Sequence, residues 1–153
     1  MLLLGDNSPN SIFFLKKKEE IVLPKYSLTA IIKDKKNKII SIGKNSYIKT
    51  HPKMVKLANK IGKYNSRKVF IHAEIDAIIK CNNLDKAYTI EIYRVDKSQT
   101  KYLCSRPCIL CSYGIAETPI KKILFCNEKG EFEITSPNKL IEFWKNKKIK
   151  KIF

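Results

Sequence analysis

Two short segments, far apart along the chain, constrain its fold more than anything else in it. The first is His72-Ala73-Glu74, within Phe70-Ile71-His72-Ala73-Glu74-Ile75-Asp76-Ala77; the second is Pro107-Cys108-Ile109-Leu110-Cys111. One imidazole and two thiols make three ligands for a tetrahedral zinc ion, which leaves the fourth place to water or hydroxide. That is the ligand count of a catalytic site, since structural sites usually close all four positions. Glu74, two residues past the histidine, is placed to handle the water's protons. Cys108 and Cys111, three apart, share one side of a helical first turn. A helix N-terminus favours thiolate over thiol, and Pro107 suits the first turn of that helix. His72 is expected to open a helix of its own. The fold must therefore set two helix starts face to face, and the 36 residues from His72 to Cys108 hold a helix, a strand and a return loop.

The remaining pattern supplies such a frame. Residues 9–23 carry apolar Ile12, Phe13, Leu15 and Ile21 and read as a first helix, stopped by Pro24. Residues 26–32 and 39–42 are β-rich and flank a polar turn, which predicts an antiparallel hairpin. After Thr50-His51-Pro52, the spacing of Met54, Leu57, Ala58 and Ile61 predicts a helix that Gly62 ends. The β-like stretch 68–71 leads into the His72 helix, which carries Ile75, Ile78 and Ile79 and is expected to reach Asn82-Asn83. Residues 88–95 read as a strand, 102–106 as a loop, and 107–115 as the cysteine helix. Strands over 120–126 and 132–135 follow, then a helix from Ser136-Pro137 carrying Leu140, Ile141, Phe143 and Trp144, with a Lys-rich end that frays. Strands alternating with helices in the second half predict a mixed sheet with helices on its faces.

Composition sets the compartment and the charge. Five cysteines are an odd number without a disulfide-like array, and Gly5-Asp6-Asn7 ends the apolar start too early for a signal peptide or membrane span. The expectation is a cytoplasmic chain with reduced thiols and no membrane partner. A net charge of +17 invites a nucleic-acid reading. Yet Arg67, Arg94 and Arg106 are the only arginines beside 28 lysines, and arginine is the better residue for bidentate phosphate and base contacts. Isoleucine is frequent too, a pairing with lysine that A- and T-rich coding produces on its own. An anionic substrate is also consistent with the charge.

The two segments admit a competing reading. Cys104, four residues before Cys108, is the candidate fourth ligand of a closed structural zinc; the Pro107 turn is expected to carry it away along the preceding strand end. Cys81 and Cys126 sit among apolar residues and are expected to be buried packing. His51, in a Thr-His-Pro loop, reads equally as a local turn hydrogen bond or a substrate contact.

With these residues in this order, the chain resembles the cytidine and deoxycytidylate deaminase superfamily, zinc-dependent nucleobase deaminases with an H-x-E…P-C-x-x-C pattern. That superfamily also includes tRNA adenosine deaminases and polynucleotide cytosine deaminases. The resemblance spans about residues 26–135. It implies a three-layer α/β/α fold with a five-stranded mixed sheet, here one domain over 1–153 with the N-terminal and Lys-rich C-terminal helices flanking its core. It implies one zinc per chain on His72, Cys108 and Cys111, with Glu74 as proton shuttle. Ile42-Gly43-Lys44-Asn45 is similar to a Gly-x-Asn found in relatives, which makes Asn45 a sugar or base contact. Ala73 would offer its backbone N–H to the pyrimidine carbonyl. Arg106 departs from the small or acidic residue of relatives, and reads as a phosphate ligand or an exposed side chain. Residues 47–67 are long and basic, Asn45-Ser46-Tyr47 lacks the usual glycines, and a second His/Cys group for an extra zinc is missing.

The implied activity is hydrolytic deamination of cytidine, deoxycytidine or a monophosphate of either to the uridine form, with release of ammonia. A polynucleotide deaminase acting on tRNA adenosine or single-stranded DNA cytosine is the alternative; the charge favours it, the poverty of arginine opposes it, and Tyr47, Tyr64, Tyr102 and Tyr113 would be its stacking surfaces. A non-catalytic, zinc-stabilised binding module is the third reading, opposed by the carboxylate at position 74. A homo-oligomer is expected from the resemblance alone.

Overall fold

A computed structural model describes residues 27–62 and 70–147. The expected helix over 9–23, the start of the β-like run at 68–69, and the chain beyond 147 lie outside the described residues.

The hairpin forms as expected: β1 (Ser27–Lys33) pairs antiparallel with β2 (Ile39–Lys44). Its turn is closed by Asp34 Oδ1, which accepts the N–H groups of Lys36 and Lys38 at 2.9 Å each. Helix α1 (Pro52–Ile61) follows, buried through Met54, Leu57 and Ala58, and Gly62 ends it in the left-handed region at φ 75°. Helix α2 (Ala73–Lys80) begins directly after His72. It stops two residues short of the expected Asn82, because Cys81 is extended and the chain then makes a 3-10 turn at Leu84–Lys86. Strand β3 (Thr89–Val95) lies antiparallel to β1. Residues 102–103, expected as loop, are a two-residue strand β4 (Tyr102–Leu103) on the end of β3. Helix α3 (Ile109–Ala116) crosses the chain to β5 (Lys122–Cys126), parallel to β3, and β6 (Phe132–Thr135) returns antiparallel. Helix α4 (Pro137–Lys147) closes the described chain. Parallel strands need such a crossover, so α3 is obligatory between β3 and β5.

The sheet order is β2-β1-β3-β5-β6, with β4 off this path. The path has the five strands and the mixed directions expected, and β4 is an addition to it. One face, with Ala30, Ile32, Ile90, Ile92, Ile123 and Phe125, packs into a core with Met54 and Leu57 of α1, Ile75 of α2, Leu110 and Ile115 of α3 and Leu140 of α4. The other face is also removed from solvent at Thr29, Ile31, Lys33, Glu91 and Tyr93. There Lys33 Nζ lies 3.0 Å from Glu91 Oε2, and the Tyr93 hydroxyl donates to Glu91 Oε1 at 3.0 Å. A sheet buried on both faces explains why β3 is mostly apolar and β-branched, with Glu91 paired where it faces inward. Among the described residues no helix is long and apolar enough to cross a membrane.

Candidate functional site

Helix α2 is seated on β2 by unusually close backbone approach. A Cβ on Gly43 would meet the backbone of Ala73 and Ala77, with Ala73 O at 2.5 Å. Ser41 Oγ donates to Ala77 O at 2.7 Å, and the Lys44 N–H donates to Asp76 Oδ2 at 2.9 Å. These ties fix the start of α2 against the end of β2. His72 is the N-cap, extended at φ −93° and ψ 156°; Ala73 and Glu74 are the first two helical residues, both buried.

The cysteine helix starts later than expected. Cys108, not Pro107, is its N-cap, with ψ 175°, and the Cys108 carbonyl accepts the first intrahelical bond, from Ser112 N–H at 2.9 Å. Pro107 stays outside, and its carbonyl accepts the Trp144 indole N–H at 2.9 Å. Cys111 falls in the first turn of α3 and is buried. One more residue organises the loop: buried Ser105 donates from Oγ to Ile92 O at 2.7 Å and accepts the Cys126 N–H at 2.9 Å. Neither Ser105 nor Asp76 was singled out from the sequence. A serine or aspartate beside a motif gives no signal until its distant partner strand is known.

The two helix starts meet. The ligand atoms of His72, Cys108 and Cys111 all lie within 4.8 Å of one another. His72 Nδ1 is 3.3 Å from Cys111 Sγ and 3.5 Å from Cys108 Sγ. The Cys111 thiol donates to Glu74 Oε1 at 3.4 Å, so the carboxylate borders the same centre. Zinc at its usual bond lengths, tetrahedrally placed, sets nitrogen and sulfur ligands about 3.5–3.8 Å apart; the two histidine–sulfur separations, 3.3 and 3.5 Å, lie at or just below that range, and the donor set is that of a zinc site. Cys104, the candidate fourth ligand, is not a member of this group among the described residues; its carbonyl accepts Arg94 Nη1 at 3.2 Å. Cys81 and Cys126 are buried, as expected of packing thiols.

The electrostatics match a cation site. Cys108 is held well below the ordinary thiol range, by its hydrogen bond to Cys111 first, against burial, and then by His72. Burial pushes Cys111 up, reinforced by the Cys108 charge: a second thiolate beside the first needs a further positive charge. Burial opposes a charged His72, but the hydrogen bond and charge of Cys108, with Glu74, outweigh it and hold His72 up to about 9. Burial likewise raises Glu74, against the pull of His72. A divalent ion is what lets two adjacent thiols ionise together.

The other site residues read from the sequence divide. Asn45 lies beside the start of α2, between Lys44 tied to Asp76 and Ser46, whose N–H donates to Ile71 O at 3.1 Å. Its Oδ1 is already used by the Leu28 N–H at 3.1 Å. Arg106 makes contacts within the chain. Its Nε and Nη2 bind Glu128 Oε2 and Oε1 at 3.1 and 2.8 Å, and its guanidinium lies 4.7 Å from the Phe125 ring centre and 4.0 Å from that of Phe143. The side chain is thus engaged within the chain, paired with one carboxylate and packed against two rings. His51 caps α1, its Nδ1 accepting the Lys53 N–H at 3.0 Å, which is the local-turn reading.

Comparison with family models places both motifs in one known family. The family described as "Cytidine and deoxycytidylate deaminase zinc-binding region" matches residues 13–127. No curated protein matches the chain in sequence. A 1.6 Å crystal structure of cytidine deaminase from Burkholderia pseudomallei is similar over 75% of this chain and 78% of that one, at 15% identity and a TM-score of 0.49. With a match running across both motifs and most of the chain between its ends, this protein belongs to the cytidine and deoxycytidylate deaminase zinc-binding family.

Proposed function

We propose that this protein is a zinc-dependent hydrolase that deaminates a cytosine-type nucleoside or nucleotide. The observation that carries the reading is the meeting of His72 Nδ1 and two thiols at one point, with the buried Glu74 carboxyl bordering it. His72, Cys108 and Cys111 would hold the ion, which supplies Lewis acidity and brings the pKa of water to about 7.

The chain's own residues do the rest. Glu74 takes a proton from the attacking water and delivers it to the ring nitrogen beside the amino-bearing carbon. Water oxygen adds to that carbon, and Glu74 carries the second proton to the amine. The carbon–nitrogen bond breaks, giving the uracil form and ammonia. A buried carboxyl bordering the thiols is placed to act first as base and then as acid. The first N–H groups of α2, Ala73 among them, lack intrahelical partners and face developing charge on the pyrimidine carbonyl. Asn45, whose Oδ1 accepts the Leu28 N–H, would contact a sugar oxygen through its Nδ2 donors.

Ammonia release across cytidine, deoxycytidine, their monophosphates, adenosine and short single strands tests the reading. Turnover of a free cytosine nucleoside or nucleotide is expected. Turnover confined to oligonucleotides, with binding that falls steeply with salt, would replace it by the polynucleotide reading that the +17 charge favours. Glu74→Gln is expected to keep its zinc and lose about 10²–10⁴ in kcat; undiminished turnover in that variant refutes the mechanism.

A further inference from the structure

We propose that Trp144 and Arg106 are positioning residues for Cys108, so that the C-terminal helix α4 is the support of the thiolate pair. The proposal rests on the zinc reading of His72, Cys108 and Cys111. Cys111 needs no special support, because it sits within a regular helical turn. Cys108 does: it is the N-cap, and residues 104–108 between β4 and α3 have no regular structure. A ligand at the end of such a loop keeps its place only if the loop is held elsewhere.

Three consecutive residues hold it, each to a different partner. Ser105 bridges β3 and β5, through Ile92 O and the backbone of Cys126. Arg106 is gripped by both carboxylate oxygens of Glu128, in the β5–β6 turn, and lies between Phe125 of β5 and Phe143 of α4. Pro107 gives its carbonyl to the Trp144 indole at 2.9 Å. The Phe143 and Trp144 rings meet edge to face with centres 5.1 Å apart, so the Arg106 and Pro107 contacts come from one rigid pair on α4. Apolar packing alone would hold the helix to the core, as Leu140 does. A directed N–H···O bond to the carbonyl preceding Cys108 adds something different: it fixes the peptide plane from which the Cys108 side chain departs. Outer hydrogen bonds of this kind tune metal affinity by about 10–100-fold.

The test compares full-length wild type, Trp144→Phe and Glu128→Gln. Trp144→Phe keeps one aromatic ring against the core and removes the indole N–H together with the second ring, so thermal stability is read alongside. Glu128→Gln, at a largely exposed carboxylate, breaks the fork on Arg106 without disturbing the core. Zinc dissociation constants come from competition with a chromogenic chelator, and the thiolate-to-metal absorption of the cobalt-substituted protein reports the geometry of the cysteines. Trp144→Phe is expected to raise the zinc dissociation constant about 10–100-fold and to shift the cobalt bands, with Glu128→Gln changing both in the same direction. If thermal stability falls while zinc affinity and the cobalt spectrum stay as in wild type, α4 is merely structural and the proposal is overturned. Should Trp144→Phe not fold, Glu128→Gln decides by the same two readings. Cys108→Ser separates the two levels: if it binds zinc as tightly as wild type, the metal reading itself is wrong.

Discussion

Replacing Gly43 by alanine is the sharpest probe of how the sheet places the site. The added methyl would lie 2.5 Å from Ala73 O, 2.7 Å from Ala77 Cα and closer still to Ala77 N. All three are backbone atoms of α2, so no side chain can swing aside. Ordinary carbon contacts require the helix to retreat by about 1 Å. Overpacking of this kind costs about 1–3 kcal/mol. The same retreat stretches the Ser41–Ala77 and Lys44–Asp76 bonds, now 2.7 and 2.9 Å, out of hydrogen-bond range, which adds about 0.5–1.5 kcal/mol each. The total, about 2–6 kcal/mol, is a large part of a domain's usual stability. The site suffers as well. His72 and Glu74 ride on α2 while Cys108 and Cys111 belong to α3, so a shift of one helix alone widens the 3.3 and 3.5 Å separations, and metal–ligand distances tolerate only about 0.2 Å. Urea unfolding of the metal-free protein and chelator competition should therefore show lower stability and weaker zinc binding together. Gly62→Ala is the control: nothing lies within 4 Å of its new methyl, though its φ of 75° disfavours a side chain, so it should lose about 1–2 kcal/mol with zinc affinity unchanged. If Gly43→Ala is within about 0.5 kcal/mol of wild type and binds zinc normally, the close approach of β2 does not set the site.

The opposite face of the sheet offers two further checks. Lys33→Met leaves the buried Glu91 carboxylate with Tyr93 as its one remaining described partner, and should cost about 3–5 kcal/mol in urea unfolding, whereas Lys33→Met combined with Glu91→Leu should recover most of it; strictly additive losses would show that the pair is not coupled. In alkali, burial pushes the Tyr102 phenol up to about 12, and burial with the neighbouring Glu91 carboxylate raises Tyr93 further. Because these folded values lie above the unfolded value near 10, the stability they contribute is fully present below about pH 10 and is lost as pH rises through about 12. Phenolate absorbance should then show a late phase that coincides with loss of circular dichroism; titration of every tyrosine in one step near pH 10 with the fold intact would contradict it.

What could be read from residues alone follows a physical division between local and distant causes. The hairpin, α1 and the two ligand segments are legible because their signals are local: a polar turn between β-rich runs, Met54, Leu57 and Ala58 at helical spacing, a histidine and a C-x-x-C at fixed offsets. The misread positions each depend on a partner far along the chain. Tyr102-Leu103 forms a strand only because the end of β3 is there to pair with it. Pro107 suits a helical first turn, yet it stands just outside α3, where its carbonyl accepts an indole N–H from 37 residues later. The pairing of Arg106 with Glu128, 22 residues away, and its place between two rings are equally invisible in the local sequence.

The same division bears on the motif glycine and asparagine. In a sequence, Gly43 and Asn45 look like one substrate-binding signature. In space they do separate work: Gly43 lets α2 descend onto β2, and Asn45 spends one end of its amide bracing the start of β1. A short motif can thus mark a site while most of its residues serve the distances between other groups. Those distances, a few ångströms between two helix starts, are what make one imidazole, two thiols and a carboxylate a single chemical unit.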